Sequence, residues 1–190
     1  MTINLEKIYA GLKAWRHERG ITAESQKEGY LVNIMEELGE LATAVREYER
    51  FSKPSYPYQK NKKYAEHEII DALCDISVFT INAGADIPCE NKPTRLELEP
   101  CLSLYNLLRE IADHQRCFNS ITLCYVLGVC ASLCHQYGFD FQKAMDETIK
   151  EISSRTGAYD ENAKKWVKDE SDEAKSKWYQ ANYELARIKK

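Results

Sequence analysis

Apolar residues recur at three- and four-residue spacing through most of the chain, the period of helices with one buried face. The pattern predicts helices over 3–18, 30–49, 66–83, 101–115, 120–137 and 139–155. In the first, Leu5, Ile8, Leu12 and Trp15 share a side, and Gly20 follows as a C-cap. In the second, Leu31, Ile34, Met35, Leu38, Leu41, Ala42 and Val45 form the stripe, after a polar loop at 20–29. Ile69, Leu73, Ile76, Phe79 and Thr80 do the same in the third, which Gly84 and Pro88 end. Leu104, Leu107, Leu108 and Ile111 mark the fourth. The segment 120–137, with Ile121, Tyr125, Leu127, Val129 and Leu133, is almost wholly apolar and reads as a buried helix or an oligomer contact. The last helix takes Asp140 as its N-cap, turns Phe141, Ala144, Met145 and Ile149 inward, and ends at Gly157.

Two of these apolar patterns carry acids. Glu36, Glu37 and Glu40 lie within YLVNIMEELGELATAVREYE, and Glu68, Asp71 and Asp75 within EHEIIDALCDISVFTINA. A helix turns once in about 3.6 residues, so Glu37 stacks on Glu40, and Glu68, Asp71 and Asp75 share a face. No Lys or Arg lies between Glu66 and Ala83. Antiparallel packing of the two helices would gather six carboxylates without a local cation. Such a group either takes up protons or binds a hard cation, and oxygen donors alone favour Mg²⁺ or Mn²⁺ over Zn²⁺. A solvated helix surface is the bland alternative, which acids inside an apolar run make less apt.

At 190 residues the chain reads as one all-α domain of four to six helices spanning 1–190, with only 8 Gly and 5 Pro. A formal net charge of −4 argues against nucleic-acid or anionic-membrane partners. The apolar runs are too short for a membrane span and residues 1–25 lack the apolar core of a signal peptide, so a cytoplasmic location is the default expectation. Seven cysteines, an odd number without C-x-x-C spacing, read as reduced core thiols; Cys130, Cys134 and His135 lack a fourth ligand for a soft-metal site.

The connection 50–64 holds Pro54, Pro57 and a basic rim, with Lys53, Lys60, Lys62 and Lys63 able to meet phosphates or simply solvated. Residues 87–100 form a long non-periodic connection, and 87–137 read as a helical insertion or a degenerate repeat that keeps only Glu110 and Asp113 at the acidic spacing. The tail 158–190, charged and aromatic, reads as a partly irregular arm with a final short helix near 172–187. Trp15 and His17 are core and surface residues, or else neighbours of a nucleobase.

EELGE at 36–40 and EIID at 68–71 together resemble the E-E-x-x-E and E-x-x-D motifs of the MazG-like all-α nucleoside triphosphate pyrophosphohydrolases, which include dimeric dUTPases and dCTP pyrophosphatases. Asp86, fifteen residues after Asp71, and GFDFQKAMDE at 138–147 extend the likeness, and EISSRTG…KW resembles phage-type members. The resemblance covers 29–86 and 138–155. It implies a MazG-like bundle assembled as a homodimer or homotetramer. It implies Mg²⁺, or Mn²⁺ in substitution, held by Glu37, Glu40, Glu68 and Asp71, with Glu36 and Asp75 as further ligands or a base. Asn33, Lys150 and Arg155 would face phosphates, and Trp15, Asn82, Tyr159 or Trp166 the base. The implied reaction cleaves a (deoxy)nucleoside triphosphate between the α and β phosphates, releasing the monophosphate and pyrophosphate.

The alternatives are a base-specific dUTPase or dCTPase, and a nucleotide-sensing helical module without turnover. A di-iron carboxylate bundle would need E-x-x-H on two helices, and no E-x-x-H occurs.

Overall fold

The computed structural model describes residues 2–53, 59–88, 92, 94–97, 103–160 and 165–189. They form β1 (Thr2–Asn4), α1 (Leu5–Glu18), α2 (Ala23–Phe51), α3 (Gln59–Ala83), β2 (Arg95–Glu97), α4 (Leu104–Arg116), α5 (Ser120–Gln136), α6 (Phe141–Ser154), β3 (Gly157–Asp160), β4 (Lys165–Lys168) and α7 (Asp172–Lys175), then a 3₁₀ turn, Tyr183–Ala186. The protein is mostly helical. Its strands form two antiparallel pairs, β1 with β2 and β3 with β4.

The longest helices, α2 and α3, pack along one another. Lys27 of α2 pairs with Asp86 just beyond α3, Tyr30 bonds Thr80, and Lys62 lies over the Tyr48 ring. Those contacts fix an antiparallel register. The seam of α2 reads Tyr30, Ile34, Glu37, Leu41, Ala44 and Tyr48, a four–three alternation that keeps one face toward the partner. The remaining helices share one core with this pair: Leu5, Ile8 and Leu12 of α1, Leu123, Val126 and Leu127 of α5, and Phe141, Ala144 and Met145 of α6 are all buried. Among the described residues no helix is long and apolar enough to cross a membrane.

Several expectations are corrected. The loop before α2 is only 19–22, because the Thr22 hydroxyl accepts the Ser25 N–H and starts the helix early. The α2 stripe splits: Ile34 and Leu41 are buried, whereas Leu31 and Met35 are 48% and 64% exposed. They lie on the edge that α3 does not cover. Lys62 and Lys63 belong to α3 rather than to a loop, since α3 begins at Gln59. Pro54 and Pro57 and the Lys60 side chain lie outside the described residues. Part of the 87–100 connection is β2, and Gly157 opens β3 instead of ending α6, which stops at Ser154. A Cβ on Gly157 would stand 2.2 Å from the Val167 carbonyl oxygen and 2.4 Å from the Trp166 ring, so the hairpin closes only over glycine there. The expected 172–187 helix is a single turn, α7, and the separate 3₁₀ turn. The described cysteines are free thiols, with Cys74, Cys130 and Cys134 buried.

Candidate functional site

The acids of α2 and α3 meet midway along the seam. Glu37 occupies a position that Leu41 and Ile34 fill one turn away on either side, so it is drawn partly out of water. Burial, then Glu40, Asp71 and Glu36, push its carboxyl up to about 7, and Arg155 opposes them. Asp71 rises to about 6: burial drives it, with Glu151 and Glu68 adding, against a hydrogen bond from Tyr183 and the charge of Arg155. Asp75 lies deeper and is raised well above the carboxylate range by burial and then by Asp71 and Glu37, again with Arg155 in opposition. Three half-buried carboxyls thus repel one another, and one guanidinium acts on all three.

The other acids stand around this centre. Glu36 and Glu40 are exposed on α2, and Glu68 accepts a hydrogen bond from Tyr64 one turn earlier. Asn33 sits one turn before Glu37 on α2, partly buried. Asp86 is apart from them, at 2.6 Å from Lys27, whose hydrogen bond lowers its pKa.

Helix α6 supplies two groups. Arg155 follows its last turn, Nη2 standing 2.8 Å from Glu151, and both act on Asp71 and Asp75. Glu151 carries no motif and went unnoticed in the sequence; an acid at the end of an ordinary amphipathic helix gives no local signal. Lys150 does not join the site. It is exposed and bonds the buried Glu147 carboxylate.

Arg19 holds Arg155 in place. It is 7% exposed, and its Nη2 donates to the carbonyls of Ile152, Ser153 and Arg155 at 3.3, 3.1 and 3.0 Å. A cation at those orphan carbonyls complements the helix dipole. The guanidinium lies 5.3 Å from the Trp15 ring and 5.0 Å from that of Trp166.

Of the expected base-pocket residues, Trp15, Trp166 and Tyr159 gather around Arg19, and Asn82 stands apart. Trp15 Nε1 donates to the Ile152 carbonyl at 3.1 Å, which commits the indole to joining α1 and α6. Trp166 and Tyr159 belong to the β3–β4 hairpin. Asn82 lies about 10 Å beyond Asp75 along α3. It is fully buried; its Oδ1 accepts from Arg16, and its Nδ2 has no partner among the described residues. Arg16 also lines a cavity of about 400 Å³ with Tyr9, Lys13 and Ile81.

Among the described residues no three His, Cys, Asp or Glu side chains form a ready-made metal centre. The donor chemistry nonetheless fits a hard divalent cation. Apart from Arg155 and the Tyr183 hydroxyl, the facing groups are carboxylates, and the repulsion and burial that raise Glu37, Asp71 and Asp75 are what such a charge would relieve.

The chain matches no protein-family model, no curated protein and no solved structure.

Proposed function

We propose that the protein is a MazG-like, metal-dependent nucleoside triphosphate pyrophosphohydrolase, active in nucleotide-pool sanitation or control. The observation that carries this reading is the meeting of Glu37, Asp71 and Asp75 across the α2–α3 seam, within paired E-E-x-x-E and E-x-x-D motifs, where burial and mutual repulsion oppose their charged forms. Glu37, Glu40, Glu68 and Asp71 would hold Mg²⁺ or Mn²⁺, with Asp75 and Glu36 beside them. A cation held there would supply charge neutralisation for a triphosphate and would lower the pKa of a bound water molecule. Glu36, exposed at the rim and outside the ligand set, would accept a proton from that water. Arg155 offers its guanidinium to phosphate oxygens, the geometry for which arginine is suited. Water adds across the α–β anhydride, the bridging P–O bond breaks, and the electron pair leaves on pyrophosphate.

Assembly from identical copies belongs to the same proposal. Leu31, Val32 and Met35 on α2, and Ile121 and Tyr125 on α5, are exposed apolar side chains consistent with it.

Released pyrophosphate, measured over a nucleotide panel with Mg²⁺, tests the reading. Turnover is expected with Mg²⁺ and none in chelator. Asp71→Ala should lower turnover by about 10³-fold or more while helical circular dichroism persists. Absence of turnover with every triphosphate, or full turnover by Asp71→Ala, overturns it.

A further inference from the structure

The acid face has a contributor from the far end of the described chain. Residues 178–188 run as a strap along α6 and onto α3. The backbone N–H groups of Ala181 and Asn182 donate to Glu151 and Glu147 at 2.8 and 3.1 Å. Asp140 N donates to the Ala186 carbonyl and Ile188 N to the Gly138 carbonyl, both at 2.8 Å. Arg187 bonds Glu66 and Glu184, with its guanidinium 4.4 Å from the Phe139 ring, and His67 lies 2.7 Å from Glu184. A segment anchored at so many points holds its side chains in fixed positions.

One of them is Tyr183. It is 4% exposed, and its hydroxyl donates to Asp71 Oδ1 at 2.5 Å while standing 3.0 Å from the Thr148 hydroxyl. A phenol has one proton. With that proton given to Asp71, Thr148 must be the donor in the second contact, sharing its hydrogen with the Ala144 carbonyl at 3.1 Å. The bonds therefore run in one direction, Thr148 to Tyr183 to Asp71, and each polarises the next. A carboxylate that accepts such a bond at one oxygen is restricted in rotation, leaving the other oxygen as a ligand. Partners of this kind orient metal-binding side chains.

We propose that the strap is a constituent of the site and that Tyr183 is a positioning residue, holding the Asp71 carboxylate so that the acid face takes up a divalent cation. This rests on the hydrolase reading above. Tyr183→Phe removes the hydroxyl and keeps the ring.

Mn²⁺ binding by the full chain without nucleotide, followed by electron paramagnetic resonance, is the direct test. Tyr183→Phe is expected to weaken Mn²⁺ affinity by about 10–100-fold. In turnover assays the Mn²⁺ concentration for half-maximal rate should rise by a similar factor, with kcat at saturating Mn²⁺ within a few-fold of wild type. A merely structural tyrosine would lower Tm and leave Mn²⁺ affinity unchanged, which overturns the proposal. Should Tyr183→Phe fail to fold, Thr148→Val is the second variant, since it removes the hydroxyl that feeds Tyr183 at nearly constant volume. It is expected to weaken Mn²⁺ binding several-fold, and unchanged affinity overturns the proposal. Wild-type protein that takes up no Mn²⁺ without nucleotide overturns the role of Tyr183, and none even with a triphosphate present overturns the hydrolase reading itself. Uptake by wild type that Tyr183→Phe matches overturns the positioning role alone.

Discussion

On α3, Glu66 and Asp71 stand about one and a half turns apart, yet their surroundings are opposite. Glu66 faces the strap, where Arg187 joins it to Glu184 and where His67 and Lys63 also approach Glu184. The Glu184 carboxyl is held down to about 2, by its bond from Arg187 first and by His67 and Lys63 as well. Asp71, five residues on from Glu66, is pushed up to about 6 and its neighbour Glu37 to about 7. The chain thus matches cations to acids at the strap and leaves acids facing acids in the seam, with Arg155 as partial relief. Compensation at one end of the helix makes its shortage at the middle informative: the uncompensated charge marks where an external cation would act.

The contrast is open to attack from both sides. Arg187→Ala removes the cation of the strap junction and its packing on Phe139. Because Arg187 is about one-third exposed, an expected loss of about 1–2 kcal/mol in urea unfolding is appropriate. A loss under a few tenths would mean that the junction is ordinary surface charge. Asp75→Asn keeps the shape and removes a buried carboxyl that the seam resists charging, and should stabilise metal-free protein by about 1 kcal/mol at alkaline pH while lowering the proposed hydrolysis. Destabilisation of comparable size would show that Asp75 is satisfied as it stands.

The smallest effect is a pH dependence. The folded pKa values of Glu37 and Asp71 are raised from ordinary values of 4.5 and 3.8. Between about pH 4 and 7 the folded chain therefore binds more protons than the unfolded one. The corresponding stability is complete at low pH and is lost as pH rises through about 6 and 7. Glu184 acts in the opposite sense, but its window lies below its ordinary 4.5. In chelator, Tm should fall by a few degrees from pH 5.5 to 8, and Mn²⁺ should reverse most of that fall. A Tm that climbs over this window would contradict the repulsion.

Much of this layout is legible in the sequence, for a local reason. Acids at three- and four-residue spacing inside an apolar period must share a helix with core residues, so α2 and α3 and their six acids could be found without coordinates. Caps such as Asp140 and Gly20, whose φ is +63°, act within a turn of the helix end and are equally readable. Glu151, Arg19 and Tyr183 depend instead on which helix faces do meet, at separations from 80 to more than 130 residues from their partners Asp71 and Ile152. No spacing rule reaches that far. The stripe of α2 misled for a related reason: apolar residues mark what a helix can bury, and only its neighbours decide how much of that arc is covered. Trp15 and Trp166 were ambiguous because an indole suits a nucleobase and a guanidinium equally well, and here both rings flank Arg19.

Arg19 has one more consequence. The same side chain touches the indole of a surface hairpin and the backbone of Arg155, the guanidinium that faces the acids. The β3–β4 hairpin is thus tied to the acid face both by the backbone that runs from Arg155 into Gly157 and by Arg19. The packing of Trp166 and the placement of the charge on Arg155 therefore share one anchor, the Arg19 guanidinium.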